Sequence, residues 1–100
     1  MITLYQLERC PWCAAVRQAI LNVKIEEYRI VNVPMDRDER TALVGLTGQA
    51  RVPVLVDGDT AIWDSQRIVR HLYATYGGPE RARSIAELPD DVGGQRVLTD

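Results

Sequence analysis

The stretch from Leu7 to Asn22, LERCPWCAAVRQAILN, decides how the chain is organised. It follows MITLYQL, whose apolar residues lie on both faces and therefore predict a strand that helices cover on both sides. Pro11 fits the first position of a helix, where its missing N–H costs nothing. Beyond it, apolar residues recur at helical spacing, namely Val16, Ala19, Ile20 and Val23. A strand therefore passes into a helix at Cys10.

The rest of the chain continues this alternation of strand and helix. Asp57 and Gly58 form a turn signal, which predicts a hairpin between the last two strands. The first β-α-β unit must be parallel and right-handed. We expect an α/β fold in the order β-α-β-α-β-β-α, with a four-stranded mixed sheet and helices on both faces. Five patterns carry this prediction: strands at 26–33, 51–56 and 60–63, and helices at 35–49 and 64–78.

Residues 78–100 differ in kind from the predicted domain at residues 1–77. They contain two prolines and the pair Gly93–Gly94, with few large apolar side chains. Residues 81–88 are compatible with a turn or two of helix. We interpret the whole segment as a C-terminal appendage or a partly disordered tail.

Composition excludes several classes of function. The 100 residues carry a net charge of −2, so no basic field attracts nucleic acid or an anionic membrane. Apolar runs such as Val52 to Val56 are far too short to span a bilayer. The strand pattern begins at Ile2, which leaves no room for a signal peptide. We expect a monomer in the cytoplasm, with neither nucleic acid nor membrane as a partner.

Cys10 and Cys13 are the two cysteines of the chain. Cytoplasmic thiols are kept reduced, so such a pair is more often catalytic or metal-binding than a permanent crosslink. The first N–H groups of a helix lack internal partners and stabilise a thiolate, which predicts Cys10 as a nucleophile. Side chains three residues apart lie about 5–6 Å from each other on one helix face. A small adjustment would close a disulfide, so Cys13 is the predicted resolving thiol.

Two other uses of the pair stay open on the residues alone. A structural zinc site usually needs four ligands. The chain offers one cysteine pair and one histidine, His71, on a helix face predicted to be exposed, so zinc would require dimerisation. Inert buried cysteines are the other alternative, although a strand–helix junction is a poor place for them. The position of C-x-x-C at the end of the first strand of a β-α-β unit favours the redox pair.

Two distant dipeptides complete the candidate site. A proline that opens a strand, as in Val52–Pro53, suits an edge or a place where another chain pairs. A cis bond would turn the Val52 backbone outward beside Cys10, whereas a trans proline that merely starts the strand is the commoner case. Asp64–Ser65 is an N-cap for the third helix. The same helix start can bind a carboxylate, while Asp64 takes an ammonium group.

Together these elements resemble the thioredoxin superfamily and, within it, the glutaredoxins. CPWC after ITLYQLER is similar to the glutaredoxin active-site motif, and RVPVLV is similar to that family's Val–Pro segment with its cis proline. IWDSQRIVRHL is closer to the N-terminal domain of glutathione transferases, in which an acid–Ser pair grips the γ-glutamyl group. Across residues 1–77, the resemblance implies a glutathione site formed by Cys10, Trp12, Val52, Pro53, Asp64 and Ser65.

The resemblance also implies a function. We expect a glutaredoxin-like thiol–disulfide oxidoreductase that reduces mixed disulfides between proteins and a low-molecular-weight thiol. Glutathione or a related thiol would be the co-substrate, disulfide-bonded or glutathionylated proteins would be the partners, and no cofactor or metal would be tightly bound. Arg51 stands where many glutaredoxins have Thr. It is a candidate for holding the glycine carboxylate of glutathione, as are Gln49 and Arg9.

Three alternatives to this function remain open. One is a thioredoxin-like dithiol reductase, and another is a standalone transferase-like domain that binds a thiol without redox turnover. The third is an iron–sulfur carrier, which is less expected because Pro11 stands where cluster-binding glutaredoxins tend to have glycine or serine. Only 23 residues follow Gly77, so we expect the helical second domain of a full transferase to be missing.

Overall fold

The computed structural model describes residues 1–77 and 92–98 of the chain. Strands and helices alternate as the sequence predicts, with a short 3-10 helix before the second α-helix. The elements are β1 Ile2–Gln6, α1 Pro11–Asn22, β2 Arg29–Asn32, the 3-10 helix Arg37–Glu39, α2 Thr41–Thr47, β3 Val54–Asp57, β4 Thr60–Trp63, α3 Ser65–Tyr76 and β5 Gly94–Val97.

The strands form one mixed sheet in the order β2-β1-β3-β4-β5. β1 and β2 are parallel, and the remaining neighbours are antiparallel, which includes the expected β3–β4 hairpin. The predicted α/β fold is therefore confirmed, but the predicted count of four strands is wrong. The fifth strand lies in the segment interpreted as an appendage or tail. Its side chains are mostly exposed, so β5 joins the sheet by backbone pairing and shows no apolar alternation.

The main core lies between the sheet and helices α1 and α3, which pack against each other. Because neighbouring residues of a strand face opposite sides of a sheet, Leu55 and Ile62 join this core, while Val54 and Ala61 are buried facing away from it. α2 contacts β4, and its Leu43 is also buried. The core cluster consists of Ile2, Leu4, Val16, Ala19, Ile20, Leu55, Ile62, Ile68 and Leu72.

The single helix predicted over residues 35–49 is wrong in detail, because Arg40 interrupts it. The Arg40 side chain is almost fully buried and donates hydrogen bonds to three carbonyl oxygens, those of Pro34 at 2.7 Å, Met35 at 3.0 Å and Ala50 at 2.9 Å. One guanidinium thus ties together both ends of the segment that contains α2. The backbone leaves the helical region at Arg40, and α2 begins one residue later.

The helical turns predicted at residues 81–88, and most of the predicted tail, lie outside the described residues. Within residues 1–77 and 92–98, no helix combines the length and the apolar character that crossing a membrane requires.

Candidate functional site

Cys10 lies at the junction of β1 and α1, as the sequence predicts. Its backbone is extended, with φ −77° and ψ 121°, and it occupies the N-cap position of α1, with Pro11 at the first helical position. The Cys10 carbonyl accepts the hydrogen bond of Ala14 at 3.0 Å, which starts the helix. Its side chain makes no capping hydrogen bond and is partly exposed. A thiol therefore stands at a helix start with unused backbone donors in the first turn.

Cys13 is buried, with no exposed surface, and both cysteines are free thiols. Burial raises the pKa of the Cys13 thiol to about 11, and the neighbouring Cys10 side chain contributes in the same direction. A hydrogen bond with the Leu7 backbone and, to a smaller extent, the positive charge of Arg17 oppose this increase in the pKa but do not outweigh it. At neutral pH, Cys13 is therefore a protonated thiol, which makes the two cysteines chemically unequal.

A partly buried polar network supports the loop that leads to Cys10. The Gln6 side chain, at the end of β1, is buried and donates a hydrogen bond to the Asn32 side chain at 3.1 Å. Arg17 of α1 donates to the Gln6 amide oxygen and, at 3.2 Å, to the carbonyl of Glu8. These bonds join β1, β2 and α1, and the bond to the Glu8 carbonyl ties the loop that leads to Cys10 to α1.

The larger of two cavities near this junction has a volume of about 800 Å³. Its lining includes every non-cysteine residue of the predicted thiol site except Arg9, one of the three candidates for the glycine carboxylate. The peptide bond between Val52 and Pro53 is cis. The lining of this cavity includes Trp12, Arg51, Val52, Pro53, Asp64 and Ser65.

The start of α3 supplies one end of this larger cavity. Asp64 is the N-cap, and its carboxylate accepts a hydrogen bond from the backbone N–H of Gln66 at 3.0 Å. Its backbone has a positive φ of 81°, a conformation that few non-glycine residues adopt. Ser65 opens the helix and lines the cavity beside it. An acidic group, a hydroxyl and a helix start thus meet at one place.

Arg51 and Gln49 lie in the loop that lines another part of the cavity. The Gln49 side chain accepts from the Arg51 backbone N–H at 2.7 Å and donates to the Arg51 carbonyl at 3.2 Å and to the Thr47 hydroxyl at 3.0 Å. Gln49 therefore shapes the loop, whereas Arg51 is exposed and provides a positive charge at the cavity. Of the three carboxylate candidates, Arg9 is not part of this lining.

The smaller cavity, of about 480 Å³, borders Cys10 itself. The exposed Met35 lies on its lining, as do Arg9 and Asn32. Because Trp12 lines the larger cavity and Cys10 lines the smaller one, the first turn of α1 borders both. The smaller cavity is lined by Leu7, Glu8, Arg9, Cys10, Asn32 and Met35.

A known family matches most of this chain. This family is described as "Glutathione S-transferase, N-terminal domain", and it matches residues 4–80. The chain belongs to this family. The resemblance noted for CPWC, RVPVLV and IWDSQRIVRHL is thereby confirmed at the level of the thioredoxin superfamily.

Relatives of this transferase N-terminal domain include both glutathione transferases and glutaredoxin-like proteins. Glutathione S-transferase 1 of Manduca sexta is 29% identical over 82 residues, which are 80% of this chain and 38% of that protein. An uncharacterized glutaredoxin-like 8.6 kDa protein in the rubredoxin operon of Clostridium pasteurianum is 33% identical over 63 residues, which are 62% of this chain and 83% of that one.

Among solved structures, glutaredoxin 2 from Salmonella typhimurium in complex with glutathione superimposes with a TM-score of 0.67 at 25% identity. The match covers 79% of this chain and 35% of that protein. The chain therefore spans less than half of the Manduca transferase and of glutaredoxin 2, but most of the Clostridium protein.

Sequence reasoning missed one side of the larger cavity of this domain. Val92 and Gly93 line it together with Trp63 and Gln66. The first two belong to the segment interpreted as a tail, where the pair Gly93–Gly94 was the available signal. A glycine pair marks turns far more often than it marks the wall of a cavity, so the signal is weak on its own.

His71 has a structural role at the other end of α3. Its Nε2 lies 2.8 Å from the Asp57 carboxylate, to which Tyr76 also donates a hydrogen bond at 2.8 Å. Burial works against ionisation of Asp57, but these hydrogen bonds outweigh it and lower the pKa of the carboxyl group. The described residues bring no three of His, Cys, Asp or Glu together in a group that could hold a metal ion.

Proposed function

We propose that this chain is a glutathione-dependent thiol–disulfide oxidoreductase of the glutaredoxin type, acting in the cytoplasm as a monomer. The observation that carries the proposal is the inequality of the cysteines: Cys10 is accessible at an uncapped helix start, and Cys13 is buried and protonated behind it. An accessible thiol at a helix start is the nucleophile that thiol–disulfide exchange uses, and a second thiol one helical turn away is placed to resolve the mixed disulfide.

The larger cavity suits glutathione by its charges. Asp64 and Ser65 at the start of α3 would hold the ammonium and carboxylate of the γ-glutamyl group. Arg51 would face the glycine carboxylate, and the Val52 backbone before Pro53 would pair with the cysteine moiety. The Salmonella glutaredoxin 2 that shares the fold was solved in complex with glutathione, which supports this choice of ligand.

The reaction proceeds in two exchanges. The Cys10 thiolate attacks the glutathione sulfur of a protein–glutathione mixed disulfide; a new sulfur–sulfur bond forms to Cys10, and the protein leaves as a thiolate that takes up a proton. A second glutathione thiolate then attacks the bound glutathione sulfur. This step releases oxidised glutathione and regenerates Cys10. Each turnover thus consumes one free glutathione, which leaves as oxidised glutathione together with the glutathione that was bound to the protein, and Cys13 is not consumed.

Cys13 provides a slower alternative way to release the glutathione bound to Cys10. Its thiolate can attack the Cys10 sulfur, expel glutathione and leave a Cys10–Cys13 disulfide. With a pKa raised to about 11, very little of this thiol is ionised at pH 7, so glutathione in solution has the advantage. This favours the monothiol route over a thioredoxin-like dithiol route.

The experiment is to measure reduction of a glutathionylated protein by glutathione, coupled to glutathione reductase and NADPH, with two matched variants. Cys10→Ser should reduce the rate to the uncatalysed background, and Cys13→Ser should keep half of it or more. Equal loss in both variants would instead indicate a dithiol mechanism. A visible absorption band in the anaerobically purified protein would indicate an iron–sulfur carrier.

One observation favours a second candidate, a transferase-type reaction that joins the thiol to an electrophile. The smaller cavity beside Cys10 is lined mainly by apolar surface and could receive an apolar electrophile. In that case Cys10→Ser should keep conjugation of glutathione to 1-chloro-2,4-dinitrobenzene, because a hydroxyl can still donate a hydrogen bond to the glutathione thiolate. Loss of both reactions in Cys10→Ser would exclude this candidate.

A further inference from the structure

Strand β5 returns the chain to the start of α3. It pairs antiparallel with β4 so that Gly94 lies opposite Trp63. Immediately before the strand, the carbonyl of Val92 accepts a hydrogen bond from Arg67 Nη1 at 3.2 Å. The ladder on one side and the Arg67 bond on the other hold residues 92–94 against the first turn of α3.

Both glycines of this segment lie too close to their neighbours for any side chain. A Cβ on Gly93 would overlap the carbonyl oxygen of Trp63 and the Cβ of Asp64, and Gly93 also has a positive φ of 65°. A Cβ on Gly94 would overlap the Trp63 indole ring. The obstructing atoms on Trp63 and Asp64 belong to a strand end and a helix cap, which cannot yield as a flexible surface side chain does. Two consecutive glycines are therefore what lets the chain approach this corner.

The consequence is that the chain closes its own cavity at the Asp64–Ser65 end. Val92 and Gly93 line the cavity together with these two residues. The family match ends at residue 80, so this part of the lining comes from outside the matched domain. The backbone at Gly93 stands next to the carboxylate-bearing residue that would receive a ligand's amino group.

We propose that residues 92–94 form a selectivity wall, which limits the space around the amino group of a γ-glutamyl ligand. The proposal rests on the proposed function, since it concerns the same cavity. A small, unsubstituted ammonium group fits between Asp64 and the wall. A bulky group on that nitrogen meets the backbone of Gly93, which β5 and Arg67 hold in place. The chain thus selects thiols whose γ-glutamyl amino group is free.

The test compares binding of two probes by calorimetry. S-methylglutathione cannot undergo disulfide exchange, and its N-isopropyl derivative keeps the positive charge of the amino group while adding bulk. Wild-type protein should bind S-methylglutathione about tenfold more tightly than the derivative, which is within the usual cost of overfilling a packed site. Gly93→Ala must displace the wall, so this difference should fall to about threefold or less.

Gly45→Ala is the matched control, because a Cβ at Gly45 meets nothing within 4 Å. It should keep the wild-type difference between the two probes. Val92→Ala shortens a side chain at the wall and leaves both glycines in place. It should also narrow the difference in affinity between the two probes, and this result does not require the protein to tolerate Ala at residue 93.

The outcomes separate the two proposals. If the wild-type protein binds neither probe, the proposed function fails, and the selectivity wall fails with it. If S-methylglutathione binds but Gly93→Ala and Val92→Ala both keep the full wild-type difference, the wall alone is overturned. Equal binding of the two probes by the wild-type protein would also overturn it.

Discussion

The helices α1 and α3 each contribute a first-turn residue to the lining of the larger cavity, Trp12 and Ser65, yet their N-cap residues are built in opposite ways. Asp64 caps α3 with its carboxylate, which accepts a hydrogen bond from Gln66 N–H at 3.0 Å. Cys10 occupies the same N-cap position in α1 and makes no side-chain capping bond. A good cap stabilises a helix by about 1 kcal/mol and uses one of its free donors. α1 lacks this stabilisation and keeps its donors available to a thiolate.

The difference shows how one structural feature serves two purposes. At α3, the helix start is stable and positions a negative charge and a hydroxyl where a ligand would bind. At α1, the helix start lacks a side-chain cap and presents the thiol that we propose as the nucleophile. Functional residues commonly occupy positions where another residue would make the fold more stable.

The largest expected effect concerns Cys13, the buried partner of the uncapped thiol. Reaction of Cys10 with 5,5′-dithiobis(2-nitrobenzoate) expels one 5-thio-2-nitrobenzoate and leaves the other in a mixed disulfide on Cys10. The Cys13 thiolate must attack the Cys10 sulfur of this mixed disulfide to release the second coloured thiol. Because burial raises the pKa of Cys13 to about 11, its ionised fraction should grow about tenfold for each pH unit below that value. We expect absorbance-monitored release to be about a hundredfold faster at pH 9 than at pH 7.

In that experiment Cys13→Ser is the control and should release no thiol on its own. A release rate that stays constant between pH 7 and pH 9 would contradict the prediction, because it would mean that Cys13 is already ionised at neutral pH.

A smaller effect is expected at the start of α3. Asp64→Asn keeps an oxygen that can cap the helix and tolerates a positive φ, but it removes the negative charge. We expect the KM for glutathione to rise about tenfold, the usual scale for losing a charged hydrogen bond, while the free energy of unfolding hardly changes.

Asp36 offers a matched control, because its carboxylate accepts a hydrogen bond from Asp38 N–H at 2.9 Å in the same capping manner, outside the lining of either cavity. Asp36→Asn should leave the KM unchanged. An equal rise in KM for both variants would remove Asp64 from the proposed binding site.

The smallest expected effect concerns the stability that α1 lacks because Cys10 makes no capping hydrogen bond. Serine is a much better N-cap than a residue that makes no capping bond. Cys10→Ser should therefore increase the free energy of unfolding by about 1 kcal/mol while it abolishes turnover. The measurement is urea denaturation of the wild-type protein and of Cys10→Ser, which gives the free energy of unfolding of each. Cys13→Ser, which replaces a buried sulfur, is denatured in parallel for comparison. A less stable Cys10→Ser protein would show that the Cys10 thiol contributes to stability in some other way.

Much of the architecture could be predicted because it depends on local patterns. Apolar patterns, helix caps and turn residues located the three α-helices and the first four strands within residues 1–77, and Asp57–Gly58 located the hairpin. The boundary errors arose where a side chain acts over a distance. Arg40 looks like one of several charged residues in a helix, and only its burial against three carbonyl oxygens shows that it divides that helix.

The candidate site could be predicted in the same uneven way. Trp12, Arg51 to Pro53 and Asp64–Ser65 were named from motifs, and they do line one cavity. The sequence could not show that Cys10 lines a separate, smaller cavity and is not part of the larger cavity's lining, since that depends on where Met35 and Asn32 lie relative to it.

What the sequence by itself determined is the chemistry and its order along the chain: a thiol pair at a strand–helix junction, a Val–Pro step, and an acid–Ser helix start. Each of these is a local property of neighbouring residues. Only the tertiary structure decided that Cys13 is fully buried, which raises its pKa. Only the tertiary structure decided that β5 brings Gly93 against Asp64. Both depend on contacts between residues far apart in the chain, and no local pattern specifies such contacts.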